Sequence, residues 1–225
     1  MYSLLVADDH PLFRDALQTV ISGGLAGSQL VEAESLADAM TLVEQHAELD
    51  LLLLDLSLPD AEGLEGLTRL REVFPWLPVA IVSAHQERQL VLDAITLGAV
   101  GYIPKSTPRE AMLAALTQIL EGQLYLPPDI MRRPAPRTSL PPTTVTATTP
   151  SERLARLTEK QLMVLGCMAK GMSNKHIARE LLIAETTVKT HVSAILRKLN
   201  ATSRVHAIVI AGEEDLSFYR ANRAH

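Results

Sequence analysis

The amino-acid sequence predicts an α/β domain, built as a (βα)5 doubly wound parallel sheet, followed by a small all-α domain of four helices. Two observations support this division of the 225 residues. Short apolar runs alternate with helical patterns through residues 1–122, which is typical of a parallel sheet with helices on both faces. Beyond a proline-rich stretch, only helical patterns continue.

The strands and helices of the first domain are predicted in strict alternation. In order they are strand 4–7 and helix 11–22, strand 30–31 and helix 35–47, strand 51–54 and helix 62–74, strand 79–82 and helix 87–97, and strand 102–103 and helix 107–121. Ligands of such folds bind at the carboxyl ends of the strands. We therefore expect the chemistry just after residues 7, 54, 82 and 103.

Four helical segments follow in the second domain, at residues 158–169, 173–181, 185–199 and 203–212. Thr158 and Gln161 have the spacing of a capping box at the start of the first, and Gly171 stands just past its end. Short helices packed into a basic segment predict a helix-turn-helix module.

The net charge of −5 hides two opposite halves. Residues 1–126 contain 6 Lys and Arg against 18 Asp and Glu, whereas residues 151–225 contain 12 against 7. An acidic domain joined to a basic one indicates a sensing or catalytic unit beside a nucleic-acid-binding unit.

The composition also sets the domain boundaries and excludes several classes of protein. We predict a first domain at 1–124, a Pro/Thr-rich linker at 125–152, a DNA-binding domain at 153–214 and a tail at 215–225. The apolar runs are too short for a membrane span and the amino terminus does not resemble a signal peptide, so we expect a cytoplasmic protein. A single cysteine, Cys167, excludes an internal disulfide framework.

Acidic, hydroxyl and lysine side chains follow the predicted strands at one edge of the sheet. Carboxylates placed this close repel one another unless a cation intervenes, and Mg²⁺ is the hard divalent ion that such oxygens hold. We expect Asp9 and Asp55 to be direct ligands, Asp8 to act through water, and Ser57 to contribute its backbone carbonyl. Ser83 and Lys105 complete the predicted site.

Two members of this region have simpler interpretations. Taken alone, Asp8 and Asp9 fit a solvated loop or a helix cap, but their convergence with Asp55 and Lys105 disfavours that interpretation. For His10 we expect a role at the surface or behind the ligands, because no second histidine lies nearby in sequence.

Asp55, at the end of an apolar strand, is suited to act as a nucleophile toward phosphorus.

These residues resemble the receiver domains of two-component response regulators. The similarity rests on residues 6–11, 53–56 with Pro59 and Gly63, 81–84 and 98–105. It implies that Asp55 accepts a phosphoryl group from the phosphohistidine of a sensor kinase with Mg²⁺ present. It further implies that Ser83 follows the phosphoryl group and that Tyr102 then swings inward as a switch. Lys105, as a compact cation, is expected to pair with a carboxylate or with a phosphoryl oxygen.

The third helix of the second domain has two distinct faces. An apolar stripe faces the core, formed by Val188, Val192, Ile195 and Leu199. The other face has donors and no acid, and we expect Lys189, Thr190 and Ser193 to contact base edges in the major groove. Phosphate contacts are expected from Lys175, Arg197 and Lys198.

The second domain resembles the helix-turn-helix domains of the LuxR and NarL group over about residues 154–212. The similarity rests on residues 157–165, 170–178 and 187–191. It implies a four-helix domain whose last helix helps to form a dimer on DNA. Leu182 stands where the group usually has Gly or Asp, and Ala184 replaces the usual Ser or Thr cap. Residues 183–189 look most like regulators of alcohol or glycerol oxidation.

Together these patterns predict a two-component response regulator, in which phosphorylation of Asp55 controls dimeric DNA binding and transcription. The expected partners are a sensor histidine kinase, double-stranded promoter DNA, a second copy of the chain and RNA polymerase, with no membrane. We expect no enzyme activity beyond self-catalysed phosphotransfer and dephosphorylation. The alternatives are a small phosphate-handling hydrolase and a receiver that binds DNA without responding to phosphate.

Overall fold

A computed structural model describes residues 2–46, 48–128, 130 and 150–212 of the chain. The first domain has five strands, β1 Ser3–Ala7, β2 Gln29–Ala33, β3 Leu51–Asp55, β4 Val79–Ser83 and β5 Gly101–Pro104. They pair in parallel in the order β2-β1-β3-β4-β5, with Ala7 opposite Leu54 and Asp55 opposite Val82. The predicted (βα)5 doubly wound fold is confirmed.

Five helices cover this sheet: α1 Pro11–Gly24, α2 Leu36–Gln45, α3 Glu65–Val73, α4 Arg88–Thr96 and α5 Arg109–Leu120. Strand β3 is buried throughout because it is apolar on both faces. Leu51 and Leu53 pack with α1 and α5, whereas Leu52 and Leu54 pack with α2, α3 and α4. The alternation of side chains along one strand therefore builds both cores.

Helices alone form the second domain within its described residues: α6 Pro150–Ala155, α7 Glu159–Ala169, α8 Asn174–Leu181, α9 Glu185–Leu199 and α10 Arg204–Gly212. The capping box of Thr158 and Gln161 forms at the start of α7 as predicted. The apolar stripe of α9 is buried in the core of this domain. The predicted all-α domain is confirmed, with α6 as an additional helix.

Some boundaries differ from those predicted from the sequence. Helix α3 begins at Glu65 and not at residue 62, because Gly63 has a φ of +54°, which is incompatible with a right-handed helix. Tyr125 forms an isolated bridge with Gly101, and α6 begins at Pro150, so both ends of the predicted linker have structure. Residues 131–149 of that linker and the predicted tail at 215–225 lie outside the described residues.

The two domains contact each other at several points. The Arg71 Nη2 atom at the end of α3 donates a hydrogen bond of 3.3 Å to the carbonyl of Thr202, just before α10. A methyl group added at Gly98 would lie 2.8 Å from Ser203 Cβ, which shows how closely the two surfaces approach. Within the described ranges we find no helix with the length and apolar character that a membrane crossing requires.

Candidate functional site

Three carboxylates meet where the central strands β1 and β3 end. Asp8 follows β1 directly and is fully buried, and Asp55 is the last residue of β3 and is 2% exposed. Asp9, one residue further, is exposed. The predicted acidic site forms at the predicted edge because adjacent parallel strands end side by side.

Lys105 binds the two buried carboxylates. Its Nζ atom lies 2.7 Å from Asp8 Oδ2 and 2.8 Å from Asp55 Oδ2. Burial by itself would lower the pKa of Lys105, but the hydrogen bonds and negative charges of Asp55 and Asp8 outweigh burial and raise the pKa above its usual value. Lys105 is therefore a permanent cation at the site, as predicted from its position after β5.

One carboxylate oxygen at the site has its hydrogen-bonding capacity unused. Asp55 Oδ1 is buried and has no hydrogen-bond partner within the part of the chain that the structure describes. A buried oxygen of this kind is costly unless a cation or another group binds it. The donor set thus fits a hard divalent ion beside Asp55.

His10 lies closer to the acids than the sequence indicated. Its Nδ1 atom is 2.7 Å from Asp9 Oδ1 and 3.1 Å from Asp8 Oδ1. One donor atom each from Asp8, Asp9, His10 and Asp55 lies within 4.8 Å of the others. The side chain of His10 is 60% exposed, in line with a position at the surface or behind the ligands, and its role stays a prediction.

Ser83 and Tyr102 lie on the far side of Asp55. Ser83 ends β4, is fully buried, and its Oγ accepts a hydrogen bond of 3.2 Å from the backbone N–H of His85. Tyr102 is also fully buried, and its hydroxyl donates a hydrogen bond of 2.8 Å to the carbonyl of His85. The ring of Tyr102 lies inside in this structure, and its role as a switch stays a prediction. Ser57 is exposed two residues after β3, and its carbonyl stays a predicted ligand.

Arg14 belongs to this region and was missed from the sequence. It is 8% exposed and donates a hydrogen bond of 2.7 Å to the Asp8 carbonyl. It also forms ion pairs of 2.8 Å with Glu32 and 2.7 Å with Glu34. Arg14 therefore fixes the loop that holds the acids. The sequence could have indicated Arg14, because it lies a few residues after Asp8 and Asp9 in a domain with only 6 Lys and Arg residues.

A second candidate site is helix α9, which follows the helix-turn-helix turn. Leu182 adopts a left-handed conformation with a φ of +53°, the conformation that Gly favours at this position. Ala184 caps α9 without a side-chain hydrogen bond, in agreement with the missing Ser or Thr. The turn is formed despite both departures.

Lys189 on α9 is not available for base contact in this structure. It is 6% exposed, and its Nζ atom donates a hydrogen bond of 3.2 Å to the Leu49 carbonyl of the first domain. The same atom lies 4.5 Å from the centroid of the Trp76 ring. Burial lowers the pKa of Lys189, while the negative charges of Glu185 and Asp50 oppose that effect. Base contact by Lys189 stays a prediction, and in this structure the first domain covers this cation.

The other predicted DNA contacts lie in three different settings. Thr190, Ser193 and Arg197 line a groove of about 840 Å³ between α9 and the first domain. Lys198 is bound inside its own domain, with its Nζ atom 3.0 Å from the Arg156 carbonyl and 2.9 Å from Gln161 Oε1. Lys198 thus makes structural contacts in this arrangement, and its contact with phosphate stays a prediction. A further cation, Lys175, lies 5.3 Å from the centroid of the Tyr2 ring.

An acidic pocket at the edge of a parallel sheet, joined to a helix-turn-helix domain, defines the class of two-component response regulators. Residues 4–117 match the family described as the response regulator receiver domain, and residues 155–211 match the bacterial regulatory proteins of the luxR family. The chain belongs to the response regulators that join a receiver domain to a luxR-type DNA-binding domain. The resemblance drawn from the sequence is confirmed.

Relatives of this chain agree with that assignment over nearly its whole length. The glycerol metabolism activator of Pseudomonas putida is 54% identical over 219 residues, which cover 97% of this chain and 99% of the relative. The nitrate/nitrite response regulator protein NarL of Escherichia coli K12 is 34% identical over 94% of this chain and 95% of its own. The solved structure of a LuxR family DNA-binding response regulator from Silicibacter pomeroyi is 33% identical, with a TM-score of 0.52, and covers 57% of this chain and 99% of that chain.

The family fixes the general role of both domains. The relatives are transcriptional regulators of two-component systems, so the chain is a response regulator. A receiver domain implies a histidine kinase as partner, and a luxR-type helix-turn-helix implies DNA binding. Receiver domains bind Mg²⁺ at an acidic pocket, and in this chain Asp8, Asp9, His10 and Asp55 form an acidic cluster.

Proposed function

We propose that Asp55 is the phospho-acceptor of this response regulator. The observation that carries this proposal is the environment of its carboxylate: Oδ2 is held by Lys105 at 2.8 Å, and Oδ1 is buried without a hydrogen-bond partner among the described residues. A carboxylate fixed at the end of a rigid strand, with one oxygen left for reaction, is suited to nucleophilic attack on phosphorus.

The proposed transfer forms one bond and breaks one bond. A carboxylate oxygen of Asp55 attacks the phosphorus of the kinase phosphohistidine, and the P–N bond breaks with its electron pair leaving on the imidazole. Lys105 is placed to move its contact from the two carboxylates to the phosphoryl oxygens, which neutralises part of their charge. Ser83 lies at the next strand end, where its hydroxyl can donate to the same phosphoryl group.

We propose Asp9 and Asp55 as direct ligands of Mg²⁺, with Asp8 acting through water and the Ser57 carbonyl completing the set. When bound, Mg²⁺ supplies positive charge that offsets the charge of the phosphoryl oxygens. Arg14 supports this arrangement from behind, because its hydrogen bond to the Asp8 carbonyl keeps the loop between β1 and α1 in place.

The contacts of Lys189 support a regulatory role for the domain interface. A helix that packs its reading face on the receiver cannot enter a major groove at the same time, since both partners would occupy the same side chains. We infer that this arrangement is the resting form, and that phosphorylation of Asp55 weakens the interface and frees α9. Dimeric binding to two half-sites then adds the energies of two short helices.

The relatives suggest which genes the protein controls. The Pseudomonas putida relative is named a glycerol metabolism activator, and it aligns with 97% of this chain at 54% identity. We therefore propose that this chain acts in the cytoplasm on promoters of glycerol-metabolism genes, as an activator that contacts RNA polymerase. Sequencing of the genomic fragments bound by the phosphorylated full chain tests this target, and a set without such promoters would contradict it.

Phosphate transfer is tested with acetyl phosphate and Mg²⁺. The intact mass of the wild-type chain should rise by one phosphoryl group, and Asp55→Asn should abolish that increase. Asp15→Asn is the matched control, because this exposed carboxylate lies on α1 outside the cluster. Undiminished labelling of Asp55→Asn would overturn the assignment of the phospho-acceptor.

A further inference from the structure

A carboxylate is buried where the two domains meet. Glu185 is the first residue of α9, and its side chain is 23% exposed. Its Oε1 atom is buried and has no hydrogen-bond partner within the residues that the structure describes. The Lys189 Nζ atom, one turn further along the same helix, lies 3.6 Å from it. The ionised form of Glu185 is therefore poorly solvated in this arrangement.

Charged side chains from both domains face Glu185. It lines a cavity of about 40 Å³ together with Asp50 of the receiver and Arg204 at the start of α10. It also lines an adjoining groove together with Lys175 of α8. The further titratable groups of that groove are Tyr2, His46 and Glu48. The charge of Glu185 is thus exposed to acids and bases from the receiver and from α8, α9 and α10.

Burial has the largest effect on the proton of Glu185. Burial and the negative charge of Asp50 raise the pKa of Glu185 above its usual value of 4.5, and the positive charges of Lys189 and Lys175 oppose this effect without cancelling it. The packed domains therefore bind this proton more tightly than an exposed glutamate does.

The environment of Glu185 depends on the packing of the two domains. Asp50 belongs to the receiver, and its neighbour Leu49 accepts the hydrogen bond of Lys189 that joins α9 to the receiver. When α9 leaves the receiver, Glu185 gains water and loses the nearby charge of Asp50. A form of the protein that binds a proton more tightly is stabilised by that proton, so acid favours the packed form.

We propose that Glu185 makes the packing of the two domains sensitive to pH: a proton on its carboxylate holds α9 on the receiver, and loss of that proton favours release of α9 to DNA. Lys189 acts in the opposite direction, because burial lowers its pKa in the packed form and its protonation favours release. The inference rests on the proposed function, since it concerns the same packed form that phosphorylation of Asp55 is inferred to open.

DNA binding by the full unphosphorylated chain measures this effect. The probe is a labelled duplex of the fragment most enriched in the genomic selection, and fluorescence anisotropy gives its dissociation constant. At about pH 8, Glu185→Gln should bind this duplex at least about threefold more weakly than the wild type, because its side chain is neutral and keeps α9 on the receiver. Removal of an acid would by itself strengthen binding to DNA, so the expected sign is specific to the proposal.

Acidification provides a second measurement. From about pH 8 to about pH 5 the difference between the wild type and Glu185→Gln should narrow steadily, because the wild type takes up the same neutral state. Glu159→Gln is the matched control, because Glu159 is the first residue of α7 and is exposed. It should not bind more weakly than the wild type at any pH. Equal or tighter binding of unphosphorylated Glu185→Gln at about pH 8 would overturn the proposal.

Phosphorylation separates this inference from the proposed function. With labelling by acetyl phosphate and Mg²⁺ confirmed by intact mass, wild-type binding should strengthen, and Glu185→Gln should bind at least as tightly as the wild type. If wild-type binding strengthens but Glu185→Gln is weaker by the same factor in both states, the proposed function stands and the role of Glu185 is wrong. If labelling leaves wild-type binding unchanged, release of α9 by phosphorylation fails, and the role of Glu185 fails with it.

Discussion

The Nζ atom of Lys189 lies 4.5 Å from the centroid of the Trp76 ring, so the two domains are joined by a cation–π contact through a residue of the DNA-reading helix. The same ammonium group donates to the Leu49 carbonyl and pairs with Glu185 at 3.6 Å. A lysine with two partners on the receiver and a third on its own helix is withdrawn from DNA. In the closed form α9 packs on the receiver, and in the open form α9 is free to bind DNA. The equilibrium between the two forms therefore depends on the contacts that Trp76 and Leu49 make with Lys189.

We predict that Trp76→Ala increases DNA binding by the unphosphorylated protein. A partly buried cation–π contact contributes about 0.5–2 kcal/mol, so its loss should raise the apparent affinity about 2- to 30-fold when the closed form predominates. Fluorescence anisotropy with a labelled promoter fragment measures this change.

Two controls accompany the Trp76 measurement. Trp76→Phe keeps an aromatic ring under the ammonium group and should give a smaller increase. The phosphorylated protein should gain little from Trp76→Ala, because its interface is already open. Equal gains with and without phosphorylation would show that Trp76 acts elsewhere.

For Lys189→Ala we expect opposite effects in the two states. In the phosphorylated protein the variant should lose about 1–3 kcal/mol of promoter binding and discriminate less between bases. In the unphosphorylated protein it should open the interface, since the contacts to Leu49 and Trp76 disappear. Binding titrations against the promoter and against a fragment with altered bases separate these effects.

Lys160→Ala serves as the comparison for Lys189→Ala, because Lys160 is exposed on α7 and its substitution removes the same positive charge. If both variants lose the same affinity for every sequence, Lys189 contributes only general electrostatic attraction.

The location of the acidic site could be predicted from the sequence, whereas its detailed contacts could not. Asp55 and Ser83 end largely apolar strands and Asp8 directly follows another, and parallel strands place those ends at one edge whatever the helices do. The pairing of Arg14 with Glu32 depends on how α1 lies across β2. No periodicity of the sequence contains that information.

The burial of Lys189 was also beyond sequence reasoning. The polar face of α9 looks the same whether it faces DNA, water or another domain, since each accepts a cation and hydroxyl groups. Only the packing against Trp76, far away in the chain, distinguishes these possibilities. For the same reason the sequence could not show that Lys198 binds Gln161 inside its own domain.

Leu182→Gly should stabilise the DNA-binding domain. Leu182 is 91% exposed with a φ of +53°, so its side chain contributes little packing while its backbone is strained. Relief of about 1–2 kcal/mol of left-handed strain exceeds the entropic cost of glycine, for a net gain of about 0.5–1 kcal/mol. Urea denaturation measures this gain.

Leu182→Ala is the matched control, because it removes the apolar side chain and keeps the Cβ atom. It should show no comparable gain. If Leu182→Ala stabilises the domain as much as Leu182→Gly, exposure of the leucine and not its backbone conformation is the cause.

Tyr102 should make the stability of the receiver domain fall in alkaline solution. Burial raises the pKa of Tyr102 above its usual value of 10.0, and the charges of Glu87 and Asp55 add to this effect against the hydrogen bond with Ser83. Above pH 10 the unfolded chain therefore loses the tyrosine proton while the folded chain keeps it, so stability declines until the folded group also ionises. Tyr102→Phe should reduce this decline by up to about 1.4 kcal/mol per pH unit. At neutral pH the same substitution should lower the free energy of unfolding by about 0.5–1.5 kcal/mol, because the hydrogen bond to His85 is lost.

Urea unfolding of the wild type and Tyr102→Phe between neutral and alkaline pH measures both effects, with Tyr125→Phe, at a half-buried tyrosine, as the control. Parallel pH profiles of the wild type and Tyr102→Phe would show that the tyrosine hydroxyl does not contribute to alkaline unfolding.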